Sequence, residues 1–379
     1  MRKIFIAFIL TFLIFSSALA ETSEDNNIIR VGVFDCLTGS NAYGGKLEVD
    51  GIKLANKLNP EILGKKIELI IIDNKSDKLE SVKAVDKLIN EYKVCAILGS
   101  YGSAYAMAGG EVAERAKIPV VGSSCTNPLV TLGKEYYFRA CFVDTFQGEG
   151  AAGYAYKNLN LRRAAILTDF TNDYSVGLGR YFANSFKKLG GEVVISLMYH
   201  PEDGNFREPL KKIISENPDV LFLPSYFEDG IMVLKQAREL GAKFKIIGGD
   251  AMDTPEIMKH LKDDPVGFIY TIFAYDPSME KMNPEAEKFT REWKNFYPDK
   301  EPSSISALGY DSYLIFMAAV NMAQSFEPQK IRDALEEIYN LPTVTGITTI
   351  NKNHDAEKPL GIIEIKNGQK RFLGTIEPE

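Results

Sequence analysis

Residues 94–103, VCAILGSYGS, decide the fold, because an apolar run breaks there at a loop of glycines and hydroxyls and a helix-like stretch follows. Residues 118–126, IPVVGSSCT, repeat the same design one unit later. Both turns place hydroxyls and free backbone N–H groups at the carboxyl end of a strand, where open parallel sheets bind ligands. Helix N-termini at such a turn favour an anion. The pair therefore predicts a cleft that holds a carboxylate.

Strands and helices alternate along the chain in two series. Near-continuous apolar strands separated by amphipathic helices predict parallel sheets covered on both faces, and hence two α/β lobes. Alternating residues at 345–372, with a turn at Asn367-Gly368, predict short antiparallel strands at the end. The predicted strands are 29–34, 67–72, 94–98, 118–121, 164–167, 192–197, 220–223 and 245–247, and the predicted helices are 47–58, 79–91, 106–116, 175–189, 206–215, 230–240, 284–296, 305–324 and 330–339.

The N-terminus has the pattern of an export signal. Arg2 and Lys3 precede an apolar core over 4–15, and Ala18-Leu19-Ala20 has the small-x-small form of a cleavage site. The apolar run falls short of the ~20 residues that span a bilayer. We therefore expect residues 1–20 to be a signal peptide cleaved after Ala20, which would place the mature protein in the periplasm.

Composition is that of a globular protein, with 45% hydrophobic and 25% charged residues in 379. Without Arg2 and Lys3 the chain has 42 basic and 51 acidic side chains, a net charge of −9. The absence of a basic block argues against a nucleic-acid partner and an anionic membrane surface. The exported compartment permits disulfides, but the sequence cannot choose among the three pairings of its four cysteines, Cys36, Cys95, Cys125 and Cys141.

Catalytic motifs are missing from the sequence. The three histidines, His200, His260 and His354, lie far apart, and there is no GxSxG elbow, P-loop or CxxC pair. Cys125 could act as a nucleophile, but no histidine belongs to a matching motif. We therefore expect no enzyme activity, no catalytic residues, no cofactor and no metal.

Binding residues are better supported, because both series of strands end in polar groups. Hydroxyls of the first series could donate to a carboxylate, although serines and threonines also cap helices. Asp250 closes a strand of the second series and could accept from an ammonium group, although turn aspartates are common. One lobe holding an anion and the other a cation describes a zwitterion. The candidate residues are Ser103, Ser124 and Thr126 in the first lobe and Tyr174, Tyr226 and Asp250 in the second.

A series of short motifs then resembles a known family. Taken in this order, they make the chain similar to the type I periplasmic binding proteins of the branched-chain amino acid (leucine/isoleucine/valine-binding) group, from about residue 28 onward. The motifs are Leu37-Thr38-Gly39, Tyr43-Gly44, Gly51, Ala55-Asn56, Asp73-Asn74, Ile118-Pro119-Val120-Val121, Phe138-Arg139, Asp144, Gln147-Gly148 and Gly309-Tyr310-Asp311.

This resemblance implies two doubly wound parallel-sheet lobes, 28–144 with 275–342 and 145–274 with 343–379, joined by a three-strand hinge that closes around a ligand. It also implies a monomeric carrier that delivers an amino acid, aliphatic or branched-chain, to the membrane permease subunits of an ABC transporter. Ser103, Ser124 and Thr126 match positions that hold the α-carboxylate, Ser124 through its backbone, and Asp250 matches the acid that holds the α-ammonium. Tyr174, Tyr226 and Tyr43 match aromatic positions, and the loop neighbours Tyr101 and Cys125 join the candidate ligand-binding residues.

Departures from the family pattern leave the ligand open. Asp35-Cys36 stands where small or apolar residues are common, Ser123 replaces a frequent proline, and Tyr101 adds a phenol beside the carboxylate loop. Relatives on this fold bind urea, short amides and aromatic acids, and the fold does not decide among them. A ligand sensor of a membrane receptor and a secreted hydrolase are the remaining alternatives.

Overall fold

Two β-sheets organise the chain in the computed structural model, which describes residues 27–261, 264 and 266–378. The predicted signal peptide, residues 1–20, lies outside the described residues. None of the helices in the described part is long and apolar enough to span a membrane. The α/β fold class with two doubly wound lobes is confirmed.

The first sheet has six strands in the order β2-β3-β1-β4-β5-β6, all parallel except β2, which pairs antiparallel with β3 at the edge. Its strands are β1 (Ile28–Asp35), β2 (Glu61–Ile62), β3 (Lys65–Asp73), β4 (Ala96–Leu98), β5 (Val120–Gly122) and β6 (Tyr137–Arg139). The helices between them are α1 (Ala42–Leu58), α2 (Lys78–Asn90) and α3 (Ser103–Ala116).

The second sheet has seven strands in the order β16-β15-β11-β10-β9-β7-β8, with β15 and β16 as an antiparallel addition. Its strands are β7 (Arg163–Asp169), β8 (Glu192–Tyr199), β9 (Val220–Leu223), β10 (Lys245–Gly248), β11 (Phe268–Phe273), β15 (Leu360–Lys366) and β16 (Gln369–Ile376). Its helices are α4 (Asp144–Gly153), α5 (Asp173–Lys188), α6 (Arg207–Ser215), α7 (Phe227–Glu239) and α8 (Ile257–Leu261).

The rest of the chain returns to the first sheet and then crosses again. Helices α9 (Pro284–Phe296), α10 (Ser304–Ala323) and α11 (Pro328–Glu336) come next, followed by a small antiparallel sheet of β12 (Leu341–Thr343), β13 (Gly346–Ile350) and β14 (Ala356–Glu357). The chain thus passes between the two sheet regions after β6, after β11 and before β15. The lobe boundaries given above remain a prediction.

Two glycines explain why α1 and α10 can touch backbone to backbone. A Cβ on Gly51 would lie 1.9 Å from the Ser306 carbonyl oxygen, and one on Gly309 would lie 2.0 Å from the Glu48 carbonyl oxygen. No side chain fits at such distances, and close-packed interiors leave no room for the helices to separate without voids. These two motif positions therefore fix a helix pair of the first lobe rather than a ligand contact.

The sequence prediction missed helices α4 and α8 and strands β2, β6, β11 and β12. Gly148, Gly150 and Gly153 lower the helix propensity of α4, so tertiary packing and not local preference forms it. The predicted turn at Asn367-Gly368 is present between β15 and β16, and both residues have positive φ, 51° and 71°, as a two-residue hairpin turn requires.

Candidate functional site

The loops that follow β4 and β5 meet the second lobe at the carboxyl ends of its strands. Lys78 Nζ lies 2.9 Å from Asp173 Oδ2, and the Asn127 side-chain amide donates to the Asp173 carbonyl at 2.9 Å. The first contact joins α2 to the start of α5, and the second joins the loop after β5 to the same residue. The lobes are therefore closed on each other, and the predicted site residues lie between them.

Two hydroxyls of the first lobe face this junction. Ser103 is the first residue of α3, and its Oγ accepts from the Asn127 backbone N–H at 3.0 Å, which leaves the hydroxyl proton available to a ligand. Thr126 is fully buried, and its Oγ1 has no partner among the described residues. An unpartnered buried hydroxyl has a desolvation penalty that a bound acceptor would relieve.

Ser124 is used differently from Ser103 and Thr126. Its hydroxyl donates to Glu48 Oε2 on α1, so its side chain is already satisfied and only its backbone is free to serve a ligand. Glu48 in turn lies beside Asp35, and both side chains are fully buried. Burial raises the pKa of Glu48 to about 7, and burial with the nearby Glu48 carboxyl raises the pKa of Asp35 well above its usual value. Both shifts favour a protonated carboxyl over two adjacent buried carboxylates.

The buried guanidinium of Arg139 fixes the loop that contains Thr126. It donates to the carbonyl oxygens of Cys125 at 2.8 Å and Asn127 at 3.0 Å, on either side of Thr126. Its other nitrogens lie 2.7 Å from the Asp355 carboxylate and 2.7 Å from the Thr131 hydroxyl. These contacts hold the Thr126 hydroxyl in place from behind the loop.

Asp250 is an acidic group that the second lobe presents at the junction. Its Oδ1 accepts from the Gln147 amide at 2.6 Å and from the Tyr174 hydroxyl at 3.0 Å, and only 2% of the residue is exposed. Burial raises its pKa to about 6, although both hydrogen bonds favour the ionised form. Asp250 is therefore a carboxylate at neutral pH that is held in one orientation and lacks a cationic partner among these contacts.

Three tyrosines pack against one another at the lobe junction, beside Asp250. The rings of Tyr174 and Tyr226 are 5.4 Å apart, and Tyr226 meets Tyr101 edge-on at 5.5 Å. Each of the three is at most 8% exposed. Tyr43 lies farther out and packs against Phe227 at 5.6 Å, at the edge of a second cavity of about 440 Å³.

Cys125 offers no side chain to the lobe junction. Its thiol packs in the core of the first lobe, 3.9 Å from the Tyr137 hydroxyl, and a Cβ on Gly122 would lie 2.4 Å from its sulfur. All four cysteines are free thiols in the described part of the chain. A nucleophilic role for Cys125 finds no support in this position, and only its backbone borders the loop.

Asp144 and Gln147 received no role in the sequence analysis, although both stood among the motifs. They lie three residues apart on α4, so both project from one face. Neither carboxylate oxygen of Asp144 has a partner in good hydrogen-bond geometry among the described residues. The nearby Thr126 hydroxyl favours the ionised form, but burial, then the Asp250 carboxylate, raises the pKa of Asp144 well above the usual value. An acidic residue at the first position of a helix could have indicated a role for Asp144. The helix itself was not predicted, so this signal was not available.

A cavity of about 640 Å³ at the lobe junction has Tyr226 in its wall. The residues that line the cavity include Ser40, Asn41, Lys78, Tyr105, Asp169, Asn172, Glu228 and Asp229.

No group of three or more histidine, cysteine, aspartate or glutamate side chains suited to a metal occurs among the described residues.

Comparison with known proteins places residues 28–370 in one family. A model of the family described as periplasmic binding protein matches residues 28–370. The Leu/Ile/Val-binding protein BraC3 of Rhizobium johnstonii is 26% identical over 332 residues, 86% of this chain and 88% of that protein. The leucine-binding protein LivK of Thermotoga maritima superimposes with a TM-score of 0.87 at 35% identity, covering 92% of this chain and 99% of that one. A benzoate complex of a Rhodopseudomonas palustris solute-binding protein, 20% identical with a TM-score of 0.82 over 93% and 97% of the chains, shares the fold alone.

Proposed function

This chain belongs to the periplasmic binding protein family, and on that premise we propose that it is the extracytoplasmic solute-binding component of an ABC importer, binding an α-amino acid as a zwitterion between its lobes. The family match confirms the resemblance drawn from the sequence motifs. The proposed ligand has an aliphatic side chain, a class to which the leucine, isoleucine and valine named for the relatives belong.

One observation supports this proposal: the two lobes bring groups of opposite chemistry to their closed junction. The first lobe offers hydroxyl and backbone donors at Ser103, Ser124 and Thr126, and the second offers the carboxylate of Asp250. All four residues are at most 5% exposed, so the charge of Asp250 and every charge of a ligand bound there must have a partner. A zwitterion meets that requirement and a singly charged ligand does not.

The roles of the individual residues follow from these contacts. We assign the α-carboxylate to the hydroxyls of Ser103 and Thr126 and to the backbone of the 124–126 loop, which includes Cys125. The α-ammonium is assigned to Asp250, which Gln147 and Tyr174 orient. Tyr174 and Tyr226 would cover the ligand from the second lobe, with Tyr101 beside it and Tyr43 at the rim.

Delivery to membrane permease subunits is the partner interaction that we propose, with the protein acting as a monomer in the periplasm after cleavage at Ala20. The chain would perform no chemistry and need no cofactor. A carrier of urea, short amides or another small carboxylate is the second candidate, supported by the benzoate-binding neighbour on the same fold. Asp250 disfavours it, because a neutral ligand has no ammonium to pair with and an anionic one would be repelled.

A thermal-shift screen of the protein starting at Glu21 tests the proposal. An amino acid at 100 times its dissociation constant should stabilise the protein by about 2.7 kcal/mol. The matched controls are the N-acetyl derivative and the amide of the best amino acid, each of which lacks one of the two charges and should stabilise far less. Stabilisation by urea, acetamide or benzoate without any response to amino acids would contradict the proposal that the ligand is a zwitterion.

Acidification should weaken binding. The pKa of unliganded Asp250 is about 6, and the ammonium binds only the ionised carboxylate, so affinity falls as the pH drops through that value. Well below it the loss should be about tenfold per pH unit, because the ionised fraction changes by that factor. Calorimetric titration at about pH 7.5 and about pH 5 measures this. Asp229, at the cavity mouth, also has a pKa raised by burial to about 6, and Asp229→Asn should keep the same profile. If the affinity of the wild-type protein does not change with pH, the assignment of the ammonium to Asp250 is contradicted.

A further inference from the structure

The phenol ring of Tyr101 spans the cleft beside the proposed ligand site. Tyr101 follows β4 on the first lobe, two residues before Ser103, and is 3% exposed. Its hydroxyl lies 3.5 Å from the carbonyl oxygen of Ala251, the residue after Asp250, and its ring meets Tyr226 edge-on. The ring therefore touches both lobes at the point where the two ends of the ligand would be held.

Gly44 makes this ring position possible. A Cβ on Gly44 would lie 2.3 Å from Cζ of Tyr101 and 2.5 Å from Cε1, so any other residue there would collide with the ring. Helix α1 thus presents bare backbone to the phenol. The space that a larger residue at position 44 would occupy is filled by the tyrosine.

The backbone of Tyr101 is fixed as well. Its N–H donates to Asp35 Oδ1 at 3.0 Å, and its carbonyl accepts from the Ser100 hydroxyl at 3.0 Å and the Cys36 thiol at 3.4 Å. Asp35 and Cys36 are two of the positions at which the sequence departs from the family pattern. These departures share one consequence, because both residues hold Tyr101 in place.

We infer that Tyr101 sets an upper limit on the ligand side chain and narrows the aliphatic class proposed above to its smallest members, with side chains the size of those of glycine, alanine or serine, so that leucine, isoleucine and valine are disfavoured. The inference rests on the proposed function, since it presupposes an amino acid held by Thr126 and Asp250. A larger side chain would have to displace a buried ring from between Gly44 and Tyr226. Forcing extra methylenes into a packed site reduces affinity by about 10- to 100-fold.

Calorimetric titration with glycine, alanine, serine, valine, leucine and isoleucine tests this inference. The wild-type protein should bind alanine at least about tenfold more tightly than leucine. Tyr101→Leu, which removes the ring from the space between Gly44 and Tyr226, should reverse that ranking or bring the two affinities within a few-fold. Tyr101→Phe keeps the ring and should retain the wild-type preference, because size and not the hydroxyl sets the limit.

Tyr105→Leu is the matched control for a tyrosine-to-leucine change in the same segment. Tyr105 is also buried but lines the outer cavity, and its hydroxyl accepts from the Asn41 amide at 3.4 Å, so the ranking of ligands should stay as in the wild type. A wild-type protein that binds leucine or isoleucine more tightly than alanine overturns the size limit while leaving the proposed function intact. A wild-type protein that binds no amino acid at all overturns the proposed function itself. The wild-type ranking decides the question even if Tyr101→Leu fails to fold.

Discussion

Replacing Asp250 by asparagine is expected to weaken amino-acid binding by about two to three orders of magnitude, the largest effect on affinity that the site predicts. Asparagine has nearly the same shape and can still accept from Gln147 and Tyr174 through its oxygen. What it lacks is the charge. The ammonium of the ligand would then be enclosed without the carboxylate that we assign to it.

The magnitude follows from burial. Removing one member of a buried charge pair costs about 3–5 kcal/mol, because the other member loses both water and its partner. Asp250 is 2% exposed in the closed cleft, so solvent does not screen the missing charge. Ser103→Ala removes one hydrogen bond to a charged group and should reduce binding by less, about 1.5–3 kcal/mol. The order of the two effects is therefore part of the prediction.

Calorimetric titration of both variants and of Asp229→Asn measures these effects. Asp229 lies in the first turn of α7 and lines the outer cavity, so its replacement makes the same change in net charge on the same lobe without touching the ligand. It should change affinity by less than a few-fold. Wild-type affinity in Asp250→Asn would rule out the ammonium contact and make a neutral amide the leading ligand.

The sequence predicted the features of this site that depend on local pattern. Strands β4 and β5 are continuous apolar runs that end in glycine and hydroxyl residues, and this pattern locates Ser103, Ser124 and Thr126 at the carboxyl edge of a sheet. Asp250 follows a strand in the same way. Periodicity and strand ends are properties of consecutive residues, so a single sequence contains them.

Contacts between distant segments could not be predicted in this way. The Tyr174 hydroxyl reaches Asp250 across 76 residues, and the Ser124 hydroxyl reaches Glu48 across the same separation in the other lobe. The Ser124 contact is the more instructive one. It removes a side chain from the predicted carboxylate donors, and only the position of α1 against the sheet reveals it.

Replacing Arg139 by methionine is expected to lower the free energy of unfolding by about 3–5 kcal/mol. Methionine fills a similar volume, so the loss comes from polar groups left without partners and not from a cavity. The Asp355 carboxylate would lose its ion pair, and the Cys125 and Asn127 carbonyls would lose buried donors. Urea unfolding of the ligand-free protein measures the change.

Arg207→Met is the matched control for this substitution. Arg207 pairs with Glu239 on the surface, where both side chains are about half exposed, and exposed pairs contribute at most about 1 kcal/mol. Arg139→Lys restores the charge but not the several directed donors, so it should recover only part of the stability. Ligand affinity should fall in Arg139→Met as well, because the loop that presents Thr126 loses the two anchors that Arg139 provides. A loss of stability no larger than that of Arg207→Met would show that the loop is held by its own backbone, and the role assigned to Arg139 in positioning Thr126 would then be wrong.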